Sequence, residues 1–286
     1  MPISLPISLP IFHLYGLIIG LSIWLAIALA EKKAKSFLKN QHMSSPRKRG
    51  SSGCTNSPDF SLNILWQVIL WELAGGVIGA RLYHVITDWP VYQSNFLHVL
   101  LIWQGGLSII GAVIGAAIAL WLYLKLHQNL KLKWQLFADL AVFGAPFGQA
   151  FGRLGNYVNQ ELYGLPTNLP WAIYIDPAHR LAGFQNFAYY HPLFFYEMIL
   201  MFIFGLWVWR QKWQIGSGQL FWIYVAYYSF IRFWLDFLRI DKANIIGTQI
   251  GANQAFLLVV FLIGLFFYFC SSRANCHSRE SGNPVL

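Results

Sequence analysis

The chain has 286 residues, of which 57% are hydrophobic and only 11% charged, with 13 Trp and a mean hydropathy of +0.49. Soluble domains carry about 25% charged residues, so lipid is the expected solvent for most of this chain. The formal charge of +9 does not form a nucleic-acid-binding stripe. Its basic residues sit between apolar runs, as membrane topology requires, and no nucleic-acid partner is expected.

Taken in order, apolar runs long enough to cross a bilayer core of roughly 30 Å occupy 12–30, 62–86, 97–124, 193–209, 219–238 and 255–270, and a shorter one occupies 137–151. The spacing therefore predicts an all-α polytopic membrane protein of about seven transmembrane helices. The whole chain, 1–286, is expected to form a single integral membrane domain. No small-residue cleavage site follows the first run, so that run is expected to remain as a span. The short run is interrupted by Gly144, Pro146 and Gly148, and broken helices at membrane depth are tolerated where they face protein or a cavity.

Fourteen of the 20 Lys and Arg residues fall on one side when the N-terminus is placed outside, four fall on the other, and Arg81 and Arg232 lie within spans. This bias predicts an N-out, C-in topology. Segments 40–59 and 271–286 are polar, Ser- and Arg-containing and without periodicity, and are expected to be a disordered cytoplasmic insertion and a disordered cytoplasmic tail. Segment 165–191 has prolines, aromatics and the β-like run WAIYI, and reads as a small folded cap on the outer side. Cys270, Cys276 and His277 lack a second ligand pair at zinc spacing, so neither a metal nor another cofactor is expected.

The most informative stretch is 151–164, FGRLGNYVNQELYG. Placed on a helix, Arg153, Asn156, Tyr157, Gln160, Glu161 and Gly164 share one face. Two readings stand for that stripe. One is a helix-end salt bridge or a set of interhelical hydrogen bonds. The other is an anion site in which Arg153 grips a phosphate with its two-pronged fork, the Asn156 and Gln160 amides complete the cradle, and Glu161 serves as a base or orients the arginine. Intramembrane ionisable groups favour a functional reading. Arg232 and Asp236, four apart in the 219–238 run, form a second candidate pair, either an internal ion pair or a second grip on the same phosphate. His191, Tyr196 and Glu197 lie in HPLFFYE, with Pro192 marking a helix start. Glu197 stands evenly between a buried interhelical hydrogen bond and a substrate role. The glycines around Glu72 and the pair Gly111 and Gly115 read as close helix packing.

Taken together, these motifs resemble the prolipoprotein diacylglyceryl transferase family of bacterial inner membranes. The likeness rests on FGRLGNYVNQELYG, on Tyr15-Gly16 in the first span, on Gly79-Ala80-Arg81, on Trp103 with Gly105 and Gly106, on His191, Pro192, Tyr196 and Glu197, and on Arg232 followed by Asp236. The resemblance implies transfer of the diacylglyceryl group of phosphatidylglycerol to the lipobox cysteine of a prolipoprotein signal peptide, forming a thioether and releasing glycerol phosphate. It also implies a helical body among membrane lipids with a small periplasmic head. By the same resemblance Arg153 binds the headgroup, and Tyr15, Asn156, Glu161, Gly164, Arg232 and the position of Asp236 are functionally sensitive. Arg81, Gln160, His191, Tyr196 and Glu197 are secondary candidates. Where many members carry a histidine in the third span, this chain has Ile110, which takes no proton and leaves Glu161 as the best remaining candidate base, beside a water or the phosphate itself. The rival readings are a transporter or lipid flippase and a catalytically impaired family member.

Overall fold

The computed structural model describes residues 11–44, 60–93, 96–101, 105–240 and 251–280. Five helices among them are long and apolar enough to cross a membrane: α1 (Ile11–Ser44), α2 (Leu62–Thr87), α4 (Ile109–Leu126), α7 (Leu193–Arg210) and α9 (Ala252–Glu280). The short α3 (Trp89–Tyr92) lies between the second and third of these, and α5 (Trp134–Val142), α6 (Ala145–Val158) and α8 (Gln219–Leu235) complete the helical set. Trp24, Leu70, Ile78, Ile86, Val113, Phe256 and Phe266 are all exposed. Large apolar faces turned outward on long helices mark a polytopic membrane protein, in which lipid covers what a soluble fold would bury.

The chain divides into two compact units, one of residues 1–33 and 138–285 and the other of residues 34–137. In the second unit, α2 and α4 meet through glycines. A Cβ on Gly75 would strike Gly115 and Ala119, one on Gly79 would strike Gly111, and one on Gly115 would strike Gly75. Backbones at such separation exclude any side chain, so the packing reading of Gly111 and Gly115 holds and acquires its partners. Gly79→Ala is expected to destabilise the protein by about 2 kcal/mol through overpacking. Gly76→Ala, whose Cβ would find ordinary contacts at 3.6 and 4.0 Å, is expected to be neutral or stabilising by up to about 1 kcal/mol. Thermal unfolding of the two variants in detergent checks the contrast.

The expected 97–124 span is not one helix. Residues Phe96–Leu100 form a 3-10 turn, and α4 begins only at Ile109. Between them Gly105 and Gly106 have φ of 89° and 73°, a conformation that glycine adopts freely and that ends helical propagation. Arg81 supplies the cause. Its guanidinium donates to the backbone carbonyls of Val99 at 2.9 Å, Gly105 at 2.7 Å, Gly106 at 3.0 Å, Leu101 at 3.4 Å and also His98. All five of its N–H donors are thus spent on folding this segment, beneath the Tyr92 ring. Hydropathy alone reads through that turn because its residues remain apolar.

In the first unit a ladder of small residues brings α6 against the start of α1. A Cβ on Gly144 would strike the Ala26 backbone, and one on Gly148 would meet the Ser22 oxygen and the Ala26 methyl at 2.8 Å. The interruptions in run 137–151 therefore serve packing as well as breaking the helix between Val142 and Ala145. Gly205 of α7 accommodates the Phe147 ring of α6, and Gly264 of α9 lies against Ala226 of α8.

Both helix ends expected to be disordered extend further than hydropathy suggests. Helix α1 continues past Ala30 to Ser44 through the Lys-rich sequence EKKAKSFLKNQHMS, which has no Gly or Pro to stop a helix, so residues 40–44 of the expected insertion are helical while 45–59 lie outside the described residues. Helix α9 likewise continues through the start of the expected tail to Glu280, and 281–286 lie outside the described residues.

The segment between α6 and α7 forms a head around two short antiparallel strands, β1 (Ile173–Tyr174) and β2 (Tyr189–Tyr190), with Ile173 opposite Tyr190 and Tyr174 opposite Tyr189. Tyr163, Ile175 and Tyr190 form its buried core. The Tyr190 hydroxyl is held by the carbonyls of Phe184 at 2.6 Å and Phe187 at 3.0 Å. Burial pushes its phenol above the ordinary tyrosine range, against the opposing charge of Arg180.

Candidate active site

Helix α6 carries Arg153 and Asn156, but it ends at Val158, so the single helical stripe expected for 151–164 is broken. Gln160 and Leu162 adopt φ of 51° and 55°, a left-handed conformation that is unfavourable for non-glycine residues and turns the chain sharply. Gln160 leaves the stripe and joins the head. Its amide donates to Asp176 Oδ2 at 2.9 Å, and the Asp176 backbone N–H donates to Gln160 Oε1 at 2.7 Å. Glu161 folds back over the helix end, where Asn156 Nδ2 donates to its Oε1 at 2.7 Å. Asn156 Oδ1 in turn accepts from Arg153 Nη1 at 3.2 Å. Glu161 thus reaches the arginine through an amide rather than directly.

Gly164 is buried at a crossing of three segments. Its N–H donates to the His191 carbonyl at 2.8 Å, and it bridges Arg239 in antiparallel fashion. A Cβ there would meet the Leu238 oxygen at 2.8 Å and Leu193 at 2.9 Å, so no larger residue fits. Tyr15 of α1 presents its ring to Gly155, where an added Cβ would approach the ring carbons to 2.8 Å. This places Tyr15 beside the helix turn that bears Arg153 and Asn156.

The expected Arg232–Asp236 pair does not form. Helix α8 ends at Leu235, and Asp236 opens a 3-10 turn. That turn points the carboxylate to Arg239 at 3.6 Å and to Asn253 Nδ2 at 3.2 Å. Arg232 instead crosses to α7, where its Nη1 donates to Glu197 Oε2 at 3.0 Å. The other oxygen of Glu197 accepts from Arg153 Nη2 and, at 3.3 Å, from Gln149 Nε2. Glu197 is 1% exposed, and one carboxylate thus joins both arginines. Tyr224 donates to Gln149 Oε1 at 2.9 Å, extending the network along α8.

His191 and Tyr196 stand apart from the arginines. The His191 Nδ1 lies 3.1 Å from the Tyr196 hydroxyl, which accepts from Trp171 Nε1 at 2.8 Å, so these two residues tie the start of α7 to the head. Arg81 belongs to the other compact unit and serves the turn described above. Trp103 lies outside the described residues. Sequence reasoning overlooked Gln149 and Tyr224. Gln149 lies one turn before Arg153 on α6, so extending the polar stripe toward the N-terminus would have found it.

A small cavity is lined by Arg153, Leu162, Leu193, Phe194, Glu197, Arg232 and Arg239. An apolar groove of about 290 Å³ runs along Ala150, Phe151, Met198, Ile199, Phe202 and Ile203. Ala150 lies one turn before Arg153, and Met198 directly follows Glu197, so the same two helices, α6 and α7, carry the groove and part of the charged centre. Three guanidiniums with a bridging carboxylate are chemistry suited to an anion such as a phosphate, and the apolar groove on the same helices is chemistry suited to an acyl chain.

Fold and site together define a polytopic helical membrane protein with a buried arginine–carboxylate centre next to a small head. Comparison with known proteins places it more narrowly. The chain belongs to the prolipoprotein diacylglyceryl transferase family, whose profile matches residues 2–270. It is similar to proteins named phosphatidylglycerol–prolipoprotein diacylglyceryl transferase from Cutibacterium acnes (45% identical over 65% of this chain and 63% of that protein), Frankia alni (42% identical over 65% and 49%) and Synechocystis (37% identical over 68% and 70%). The matched region thus spans about half to two thirds of the length of these relatives.

Proposed function

We propose that this protein transfers the diacylglyceryl group of phosphatidylglycerol to the lipobox cysteine of prolipoproteins, the first step of bacterial lipoprotein maturation. The observation that carries this reading is the convergence of Arg153 and Arg232 on the buried Glu197 carboxylate, which joins three separate blocks of the sequence that resemble the family's motifs. In this reading the two guanidiniums hold the phosphodiester, and an acyl chain lies in the groove between α6 and α7. The substrate thiolate, the reactive form, attacks the glyceryl C3 carbon. The C–S bond forms as the C3–O bond breaks, and the electron pair leaves on glycerol phosphate, whose charge the arginines stabilise. The thiol proton passes to Glu161, which is exposed and held by Asn156, a geometry that suits a base. Tyr15 and Asn156 position these groups, and Gly164 keeps the crossing closed.

The proposed topology has seven membrane elements, with α8 and the α5–α6 pair added to the five long helices. It is N-out and C-in, in the bacterial inner membrane, with site and head facing the periplasm. The basic bias of the loops supports this orientation. The test is to incubate the purified protein with phosphatidylglycerol and a lipobox peptide and weigh the peptide. A diacylglyceryl mass increment that disappears when the cysteine is replaced by serine is expected. An unchanged mass, with lipid or solute movement in vesicles, would overturn the assignment in favour of a transporter.

A further inference from the structure

Among the described residues the charges of the site balance. Arg153, Arg232 and Arg239 meet Glu197, Asp236 and, through Asn156, Glu161. An anion entering this site adds a charge that none of these groups counters, so an existing carboxylate contact must yield. Two observations identify which one. Glu197 is the carboxylate that touches both Arg153 and Arg232, and all three line the same cavity. In addition, Arg153 Nε is buried without a hydrogen-bond partner, while the neighbouring Nη2 on the same edge of the guanidinium is held by Glu197. That edge offers the two parallel donors with which arginine grips an oxyanion. One donor is open and the other is covered by Glu197. Asp236 and Glu161 do not compete for this edge, since Asp236 faces Arg239 and Asn253, and Glu161 faces Asn156.

We propose that Glu197 is a displaceable counter-ion. It holds Arg153 and Arg232 in place before lipid binds, cedes the side edge of Arg153 to the phosphate of the incoming lipid, and returns to help expel the glycerol phosphate product. The inference rests on the proposed reading of the site and adds a role for Glu197 as a positioning and release residue. Its signature is an inversion that a merely structural residue would not produce. Removing the carboxylate charge should strengthen anion binding while slowing turnover.

The experiment compares wild type with Glu197→Gln and Glu197→Asp. Binding of glycerol phosphate and of phosphatidylglycerol in mixed micelles is measured by titration, with phosphatidylcholine as the zwitterionic control, and kcat and KM are measured with the lipobox peptide. Glu197→Gln is expected to bind glycerol phosphate and phosphatidylglycerol about tenfold more tightly, the low end of close charge-pair coupling, with both kcat and KM reduced. Glu197→Asp, which keeps the charge but is one methylene too short to bridge both arginines, is expected to fall between the two. Unchanged or weaker anion binding in folded Glu197→Gln overturns the inference. If Glu197→Gln does not fold, Glu197→Asp decides the matter, and the inference fails when that variant binds glycerol phosphate no more tightly than wild type. The binding measurements do not need turnover, so a wild-type protein that binds these anions without transferring lipid defeats the proposed reaction and leaves the counter-ion role standing.

Discussion

Arg153→Ala is expected to lower diacylglyceryl transfer by roughly a thousandfold, the upper range for loss of one preorganised donor to a developing anion, while the protein remains folded. The fold survives because Glu197 keeps its 3.0 Å contact with Arg232, so no buried carboxylate is left without a counter-charge. Arg153→Lys is expected to recover little, since an ammonium offers a point charge where the site presents a planar fork shared among Glu197, Asn156 and an open Nε. The peptide mass assay supplies the rates, and size-exclusion profile with thermal unfolding in detergent supplies the control. Transfer at the wild-type rate in folded Arg153→Ala would remove the headgroup role from this residue.

Asp139→Ala is expected to cost about 3–5 kcal/mol of stability, since up to three buried N–H groups lose their acceptor. Asp139 on α5 is fully buried. It accepts the backbone N–H groups of Gly216 and Gly218 at 2.9 Å each and of Phe221 at 3.0 Å. Helix α8 begins after Gly218, a residue with no side chain to cap it, and the first N–H groups of any helix lack internal partners. A carboxylate some 80 positions earlier in the chain supplies the cap, and it also suits the positive end of the helix dipole. Asp139→Asn retains the shape with a weaker acceptor and is expected to lose less. Thermal unfolding in detergent reads both variants. An Asp139→Ala midpoint within about two degrees of wild type would show that solvent or lipid satisfies those donors instead, given that 1 kcal/mol moves the midpoint by about 2–4 degrees in a chain approaching this size.

Much of the candidate site is visible in the sequence because polar residues are costly in an apolar run, and so stand out there. Arg153, Asn156, Glu161, Arg232 and Glu197 all draw attention this way, and the structure brings these five into one connected network. Their partners are less visible. Helical spacing suggests that Asp236 answers Arg232, four residues before it, and that Glu161 continues the Arg153 face. Both suggestions assume that the helix goes on, and in each case it stops: α6 at Val158 and α8 at Leu235. Asp139, lying in an apolar run without an obvious partner, gives no local sign of its role, because the groups that it binds belong to a distant loop and the first turn of α8.

Composition and hydropathy by themselves determine that this chain belongs in a membrane and roughly where its long helices lie. Transfer free energy is local and close to additive along the chain, so no knowledge of the fold is needed to sum it. Tertiary structure decides what each charge answers. Glu197 meets arginines 44 and 35 positions away, and Arg81 meets carbonyls 17 to 25 positions away. A guanidinium in a medium of low dielectric takes whichever acceptors the packed helices and turns bring to it; for Arg153 and Arg232 that choice is made by the meeting of α6, α7 and α8 and for Arg81 by the turn before α4, which no spacing within a single helix encodes.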